Sequence, residues 1–437
     1  MNSNTMTIVL ITLLLSESNA LSASDTPELD SLVIENRQIT ASELADLAEM
    51  GKRLILRNDT ITGDWAVGGN HHPTLGSISV QNSVFERQFT IVDVTVREYA
   101  HLRFADCTFM KGAYFARLSF KPWSNLVLTD CTYEGPVYID GCNLEPLTEV
   151  LIDKGSFRKG FVLVSCTGEW LFRLLNSRIE GGLSVNQCSW QNRFENCEFE
   201  AGGSIEGDFS TSTFWDCSFL GTAFEMTVLP CDQSMGKCGG IDKLSFRESP
   251  AGLTALRDWY RLNGYRQRER EATYALRRTE NSRLSQPVKI IQWLLFDLTC
   301  SWGKEYGKPL YLAAVLILLL WPVYWLFAAS FRKGDIYRHW VSRHSGRKMS
   351  ISVHRIKPLG RKKGPLTARL ALLFSVMSAF NIGFRDFDFG RWIRNITKNE
   401  YDLRALHWAR TVSGIQALIS VFLFALFLLT YFGRPFN

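Results

Sequence analysis

The stretch FENCEF, residues 194–199, has two near-copies in this 437-residue chain, FADCTF at 104–109 and FWDCSF at 214–219. In each copy a cysteine lies two positions before a phenylalanine. Looser copies keep the same order of side-chain sizes, with a small residue two positions before a large apolar one. The pairs are Cys107/Phe109, Cys131/Tyr133, Gly155/Phe157, Cys188/Trp190, Cys197/Phe199 and Cys217/Phe219. Because the repeat keeps size rather than a reactive group, it indicates architecture.

The large apolar residues of the repeat recur about every 11 positions, or at about twice that interval, from Phe85 to Phe219. A second interval of five residues appears within them, as in Phe104/Phe109/Tyr114. Short β-type runs at a fixed period are typical of a solenoid, whose coils bury their inward faces by stacking on one another. We therefore predict a mainly β fold, a right-handed parallel β-helix with about 22 residues per coil and large side chains in interior columns.

A polar residue directly precedes the cysteine in several copies, at Asp106, Asp130, Asn196 and Asp216. Asp and Asn side chains satisfy nearby backbone donors in turns, so this column is predicted to form a corner of the solenoid. Cysteine suits the adjacent position because it packs as a small hydrophobe. An alternative interpretation is that the carboxylates belong to a cleft that cleaves envelope polysaccharide.

Three segments are poor in charge, and the first of them is too short to span a bilayer. Residues 7–15, TIVLITLLL, are followed by the triplet SNA, a pattern that predicts a secretory signal peptide at 1–20. Residues 309–331 and 411–433 are each long enough to cross a bilayer, which takes about 20 apolar residues. Both have aromatic residues near an end, as interfacial anchors do. The sequence therefore predicts a membrane protein with two transmembrane helices.

The loop between the two predicted spans, 332–410, is strongly basic. Residues 331–411 carry 18 Lys and Arg against 5 Asp and Glu. The positive-inside rule places this loop in the cytoplasm and the chain before 309 outside. Within the loop, Arg361, Lys362 and Lys363 are the candidate contacts to anionic lipids of the inner leaflet. The position beside a span makes lipid, and not nucleic acid, the expected partner of the basic residues.

Helices are predicted on both sides of the repeat. Thr40 and Glu43 form a capping box for a short helix that ends at Gly51. Before the first span, Trp293 and Trp302 are typical of an interfacial helix at headgroup level. The predicted order is a signal peptide (1–20), an N-terminal cap with the first coils (28–80), the β-helix repeat (81–248), a helical hairpin (252–284), the interfacial helix (286–307), the first span (309–331), the basic loop (332–410) and the second span (411–433).

Nine of the ten cysteines lie between residues 107 and 238, in the region predicted to be exported, where disulfides can persist. Cys231 and Cys238, in PCDQSMGKCGG, stand outside the repeat on a glycine-rich stretch. We therefore predict a disulfide between these two and free buried thiols in the repeat. The chain contains no phosphate-binding loop, nucleophile elbow or paired-histidine metal motif, so no cofactor, metal or enzymatic activity is predicted.

The repeat at 80–225 resembles that of pentapeptide-repeat proteins, which are β-helices built from small-polar-large-x-x units. Residues 253–436 strengthen the resemblance, because bacterial pentapeptide-repeat membrane proteins often follow the solenoid with a helical hairpin, a lead-in such as Trp293 to Gly307, and two spans. Some of these proteins resemble potassium channels. The resemblance implies localisation in a bacterial inner membrane, with two spans and the N-terminal domain in the periplasm or outside the cell.

A channel would carry a pore loop between its spans. The stretch LLFSVMSAFNIGFRDF, 372–387, is similar to such a loop, with Phe374, Ser375, Gly383, Phe384 and Asp386 at matching positions. The second filter glycine is replaced by Arg385, whose charge and bulk would stand where cations pass. The alternative for this segment is an amphipathic helix that lies under the inner leaflet.

The function predicted from these features is a membrane-anchored, non-enzymatic β-helix scaffold or sensor of the bacterial envelope, which binds a protein partner or an envelope ligand. The alternative is a two-span, oligomeric, channel-like protein with a degenerate pore loop at 372–387. Gly414, Ala417 and Ser420 share much of one face of the second span and would let helices of a homo-oligomer approach closely.

Overall fold

The computed structural model describes residues 31–49, 53–68, 73–168, 171–230, 233–329, 336–340, 356–358, 364–380, 401–405 and 407–432. The predicted signal peptide lies outside these residues. The chain divides into two compact units, Met1–Trp259 and Tyr260–Asn437.

The first unit is a parallel β-solenoid of about eight turns, as predicted. Its coils have up to four sides, and each side forms a parallel sheet. Face A consists of Ser31–Glu35, Arg53–Arg57, Ile78–Gln81, His101–Ala105, Asn125–Thr129, Glu149–Asp153, Leu171–Leu175, Gln191–Glu195 and Ser212–Trp215. Face B consists of Gln38–Thr40, Thr60–Thr62, Val84–Phe85, Thr108–Phe109, Thr132–Tyr133, Ser156–Phe157, Arg178–Ile179, Glu198–Glu200 and Ser218–Leu220.

The other two sides complete the coil. Face C consists of Trp65–Gly68, Phe89–Val92, Ala113–Ala116, Val137–Asp140, Phe161–Val164, Leu183–Asn186, Ser204–Asp208 and Ala223–Val228. Face D consists of Thr74–Leu75, Thr95–Val96, Ser119–Phe120, Asn143–Leu144 and Thr167–Gly168. The solenoid starts at the first described strand, Ser31–Glu35, within the region 28–80 that was predicted to hold the cap and the first coils.

The length of a coil varies along the solenoid. On face A, His101 and Asn125 are paired and are 24 residues apart in sequence. Further along the same face, the paired residues Asn192 and Ser212 are only 20 residues apart. The predicted length of about 22 residues therefore lies in the middle of the observed range. The interval of about 11 residues is half a coil, because it alternates between face B and face D.

Large side chains stack inside the solenoid, as predicted. On face B the ring of Phe109 lies 4.7 Å from that of Phe85 and 4.9 Å from that of Tyr133, and the ring planes are almost parallel. The five-residue interval holds from Phe104 to Phe109, but it fails at the next step. Phe115, one position later than expected, points inward because the corner between faces B and C takes an extra residue, and Tyr114 points outward.

The corner between faces A and B is formed by a column of left-handed residues. Its members have φ between 48° and 56° and are Asn36, Asn58, Asn82, Asp106, Asp130, Lys154, Asn176, Asn196 and Asp216. Asn and Asp tolerate this conformation better than other residues with a side chain. The amide of Asn82 donates to Asn58 Oδ1 at 2.7 Å, so neighbouring coils are also joined through the corner side chains. The predicted turn role of the polar residue before cysteine is confirmed.

The position after this corner is a cysteine in four of the coils, at Cys107, Cys131, Cys197 and Cys217. Each thiol donates to a carbonyl of the preceding coil, for example Cys131 Sγ to Phe104 O at 3.5 Å and Cys217 Sγ to Phe194 O at 3.4 Å. Burial raises the pKa of the Cys217 thiol. Cys238 continues this column, because its free thiol donates to Phe214 O at 3.6 Å. Cys231, the predicted disulfide partner of Cys238, lies outside the described residues.

Both ends of the solenoid carry helical segments. Helix α1, Ala41–Glu49, follows the first coil. After the last strand, the 3₁₀ turns Ser234–Lys237 and Ile241–Lys243 extend the coil path, and helix α2, Ala251–Leu262, follows. A Cβ atom on Gly252 would lie 3.1 Å from Met226 O, so glycine lets the start of α2 approach the last coil closely.

The second unit is mainly helical. Helix α3 is Arg266–Ser282, α4 is Gln286–Gln292, a π-turn Trp293–Asp297 connects it to α5, Leu298–Cys300, and the remaining helices are α6, Lys308–Ala329, α7, Gly364–Ala379, and α8, His407–Phe432. Helices α6 and α8 are long and apolar enough to cross a membrane. The predicted basic loop is more structured than expected. It contains α7 and a three-stranded antiparallel sheet, in which Ile336–Trp340 lies between Ile356–Pro358 and Tyr401–Ala405.

Candidate functional site

Three turns are stacked where face D leads into face A, at residues 97–100, 121–124 and 145–148. Two of them are closed by backbone hydrogen bonds of 3.1 Å, from Ala100 N to Arg97 O and from Ser124 N to Lys121 O. In the third, Thr148 Oγ1 donates to Glu145 O at 2.6 Å. The turns lie one coil apart on a rigid sheet framework.

The third residue of each turn is large, exposed and left-handed. These residues are Tyr99 (φ 61°), Trp123 (φ 64°) and Leu147 (φ 67°), and we refer to them as the turn ridge. Their exposed fractions are 64%, 51% and 42%. A bulky residue at positive φ is a genuine outlier, and each such residue costs about 1–3 kcal/mol. Glycine would adopt this conformation without the strain.

The turn ridge forms a continuous surface. The rings of Tyr99 and Trp123 are nearly parallel, at 8°, with centroids 6.3 Å apart. Beside them, Lys121 Nζ forms an ion pair with Glu145 Oε1 at 2.5 Å, which ties two of the turns together. The repeat period of the sequence does not predict this surface. The sequence pattern that indicates the ridge turns is KPWS at 121–124, which recurs one coil later as EPLT at 145–148.

The carboxylates considered for polysaccharide cleavage lie in the left-handed corner column. They are separated by whole coils and are interleaved with asparagines and Lys154. Asp130 forms an ion pair with Lys154 at 3.5 Å. Within the part of the chain that the structure describes, no group of three or more His, Cys, Asp or Glu side chains could hold a metal ion. The geometry of this column is that of a turn ladder rather than a converging cleft.

The helical unit contains a buried hydrogen-bonded group at the crossing of α6, α7 and α8. The hydroxyl of Tyr324 donates to Gln416 Oε1 at 2.8 Å, and Gln416 Nε2 donates to Ser375 O at 3.0 Å. Ser375 Oγ donates to Ile317 O at 2.8 Å. We refer to Tyr324, Ser375 and Gln416 as the polar node. All three side chains are fully buried.

Two further contacts hold α7 in place. Trp321 Nε1 donates to Ala368 O at 2.8 Å, and Ser413 Oγ donates to Ser378 Oγ at 2.9 Å. Of the predicted pore-loop residues, Phe374 and Ser375 lie on α7, where the Phe374 ring packs edge-on against Tyr324 at 5.0 Å. The other predicted site residues of this unit lie outside the described residues, namely Gly383, Phe384, Asp386, Arg361, Lys362 and Lys363.

The predicted small-residue face of the second span is not a single surface. Gly414 is exposed, with no heavy atom within 4 Å of the position that a Cβ would take. Ser420, in contrast, is buried. The two residues therefore point to different sides of α8, because six helical positions correspond to a rotation of about 600° and not to whole turns.

Two arginines of α3 cap the end of α8. Arg266 Nη2 donates to Tyr431 O at 2.8 Å, and Arg270 Nη2 donates to Thr430 O at 2.9 Å. The guanidinium of Arg270 also lies over the ring of Tyr306, 5.2 Å from its centroid. The last carbonyls of a helix lack partners within the helix and carry partial negative charge, so cations stabilise them. This arginine clasp therefore fixes the start of α6 and the end of α8 to the same element.

No model of a known protein family matches the chain, and neither a curated protein nor a solved structure matches it.

Proposed function

We propose that the chain is a membrane-anchored, non-enzymatic β-solenoid scaffold of the bacterial envelope, and that the turn ridge binds a partner protein. The observation that carries the proposal is the combination of exposure and backbone strain at Tyr99, Trp123 and Leu147. Strained residues concentrate at functional sites. Trp and Tyr are the residues that most often supply the binding energy of protein interfaces.

The surface of the helical unit supports membrane anchoring. Only 6% of the apolar stretch of α6 and 22% of that of α8 are buried within the unit. Leu318, Leu319 and Leu418 are among the large apolar residues that remain exposed. A soluble protein rarely exposes so large a continuous apolar surface, whereas lipid covers it without penalty. The charge of the loop then favours the inner membrane, with the loop in the cytoplasm and the solenoid outside.

The spacing of the last coils supports the likeness to pentapeptide repeats. Asn192 and Ser212, paired on face A, are 20 residues apart, which equals four units of five. The coils around Phe109 are longer because they include the turn that carries the ridge. We infer that the ridge turns are additions of up to four residues to a pentapeptide-like coil, on a scaffold that does not need them for its own closure.

The experiment is site-specific photo-crosslinking of the full-length protein in its own membrane. A benzophenone amino acid at Trp123 is expected to give one discrete protein adduct, and the double variant Tyr99→Gly with Leu147→Gly is expected to remove it. The matched control is the same probe at Tyr138, an exposed aromatic residue on face C of the same coil. Equal adducts at both positions, or none at Trp123, would overturn the proposal. Binding of a polysaccharide without a protein adduct would instead favour an envelope glycan as the ligand.

The channel-like alternative rests on the position of α7 between α6 and α8. A topology measurement separates it from the scaffold. In a version without other cysteines, a reporter in place of Ser350 is expected to resist an impermeant thiol reagent in intact cells and to react after lysis. Labelling of intact cells would place the basic loop outside and would favour the channel-like alternative.

A further inference from the structure

Helix α7 contacts its neighbours well inside their apolar stretches. Ser375 Oγ bonds to the carbonyl of Ile317, twelve residues before the end of α6 at Ala329. At 1.5 Å per residue this is about 18 Å along the helix. On α8, Gln416 lies nine residues after His407, or about 14 Å along the helix. A bilayer has a hydrocarbon core of about 30 Å, so these contacts lie level with its interior if the two long helices span it.

The described strands that precede and follow α7 in the sequence belong to one sheet. The strand Ile356–Pro358 precedes α7, the strand Tyr401–Ala405 follows it, and both pair with Ile336–Trp340. This sheet lies where α6 has ended and α8 has yet to begin. With 16 residues, α7 is about 24 Å long, which is shorter than a helix that crosses a bilayer.

The surface of α7 offers no polar face to water. Its two serines, Ser375 and Ser378, are buried against α6 and α8. The side that points away from them carries the half-buried apolar residues Leu372, Leu373, Val376 and Met377, together with Arg369 nearer the start of the helix. Arg369 is exposed only five residues from the start of the helix, where its long side chain can reach the headgroups. An amphipathic helix on the inner leaflet would have the opposite arrangement, with its polar residues outward.

We propose that α7 is a re-entrant helix that enters the bilayer from the side of the basic loop and is held there by the polar node. The proposal rests on the membrane anchoring proposed above and adds a third embedded segment. In lipid, a glutamine side chain is expensive unless its polar atoms are bonded. Gln416 uses its oxygen toward Tyr324 and its nitrogen toward Ser375, so it joins all three helices.

The test measures how deep α7 lies in the full-length protein, reconstituted in lipid vesicles in a version without native cysteines. Single cysteines replace Leu373 and Met377 on α7, Leu318 on the exposed side of α6, and Ser350 in the basic loop. At positions 373 and 377 we expect a water-soluble maleimide to react at least 10-fold more slowly than at 350. A bimane label there should be quenched by lipids that carry a spin label within the acyl chain.

The outcomes separate this inference from the anchoring on which it depends. Rapid labelling at 373 and 377, with protection at 318, would overturn the re-entrant helix and leave the anchoring intact. Rapid labelling at 318 as well would overturn both. A second variant tests the role of the polar node. We expect Gln416→Leu to raise labelling at 377 at least 10-fold and Ile415→Leu, on the exposed side of α8, to leave it unchanged. Continued protection in Gln416→Leu would show that the node does not hold α7.

Discussion

The solenoid and the helical unit have opposite distributions of polarity. Inside the solenoid lie columns of apolar side chains such as Phe109, while the corners and outward positions carry Asn, Asp and charged residues. Inside the helical unit lie Gln416 and Ser375, whereas Leu418 is 74% exposed on the outside. This contrast is what we expect if water surrounds the solenoid and lipid surrounds the two long helices.

The difference also shows what holds each half together. In the solenoid the backbone of each coil is hydrogen-bonded to the next, so the interior can be filled with apolar groups, and burial supplies the stability. If α6 and α8 span a bilayer, the lipid around them is as apolar as their side chains. Burial of a leucine between the helices is then no more favourable than its contact with lipid. Hydrogen bonds such as that from Tyr324 to Gln416 then select which helix faces meet.

The largest expected effect is the loss of a ring from the solenoid interior. Phe109→Ala should lower the free energy of unfolding by about 3–5 kcal/mol, because the ring is stacked on both sides and the cavity cannot collapse between fixed coils. The change is measured as a shift of the urea midpoint of the full-length protein in detergent, with pulse proteolysis of the solenoid to detect unfolding.

The matched control for that variant is Tyr138→Ala, which removes an exposed ring and should change stability by about 0.5 kcal/mol or less. A loss as large as that of Phe109→Ala would mean that face C is covered by another surface. The side chain at position 138 would then be buried and not exposed to water.

The next effect concerns how closely the coils approach. A Cβ atom on Gly181 would lie 2.1 Å from the carbonyl carbon of Lys159 in the preceding coil. We expect Gly181→Ala to destabilise the solenoid by about 3 kcal/mol, since the obstacle is backbone and not a side chain that can rotate. The control is Gly239→Ala, where nothing lies within 4 Å of the new atom. Equal midpoints for both variants would contradict the close approach of the coils.

A smaller effect is expected in the helical unit, where contacts are fewer and polar. Arg270→Ala leaves the Thr430 carbonyl without its cation and should cost about 1.5–3 kcal/mol, as for other bonds to charged groups. The control is Arg277→Ala, which removes an ion pair with the more exposed Glu280 of α3. Unfolding in mixed micelles of increasing SDS content, followed by circular dichroism, should show a shift for Arg270→Ala alone.

The sequence was sufficient for features that are set locally, and it failed for those set by the coil length. The stacked columns and the left-handed corner follow from size and turn chemistry within six residues. The assumed period did not reveal that Tyr99, Trp123 and Leu147 align from one coil to the next, or that Phe115 replaces Tyr114 on the inside. The packing of α7 against α6 and α8 was missed because it depends on Gln416, a residue far along the chain that only the fold brings near.

The smallest predicted effect tests whether corner chemistry or surface charge matters more to the solenoid. Lys154 is the one member of the described corner column that is neither Asn nor Asp, and at φ 55° it has no local reason to be favoured. Lys154→Asn should stabilise the protein by about 0.5–1 kcal/mol, since Asn tolerates this conformation and can extend the amide ladder. The substitution also removes the exposed ion pair with Asp130, which contributes about 0–1 kcal/mol. The protein is still stabilised as long as the relief of backbone strain exceeds the loss of this ion pair. Lys154→Ala is the control, because it removes the same charge without relieving the backbone. A lower urea midpoint for Lys154→Asn than for the parent protein would mean that the ion pair stabilises the solenoid more than the turn conformation of Asn does. Surface charge would then contribute more to the stability of the solenoid than the apolar interior and the corner residues alone suggest.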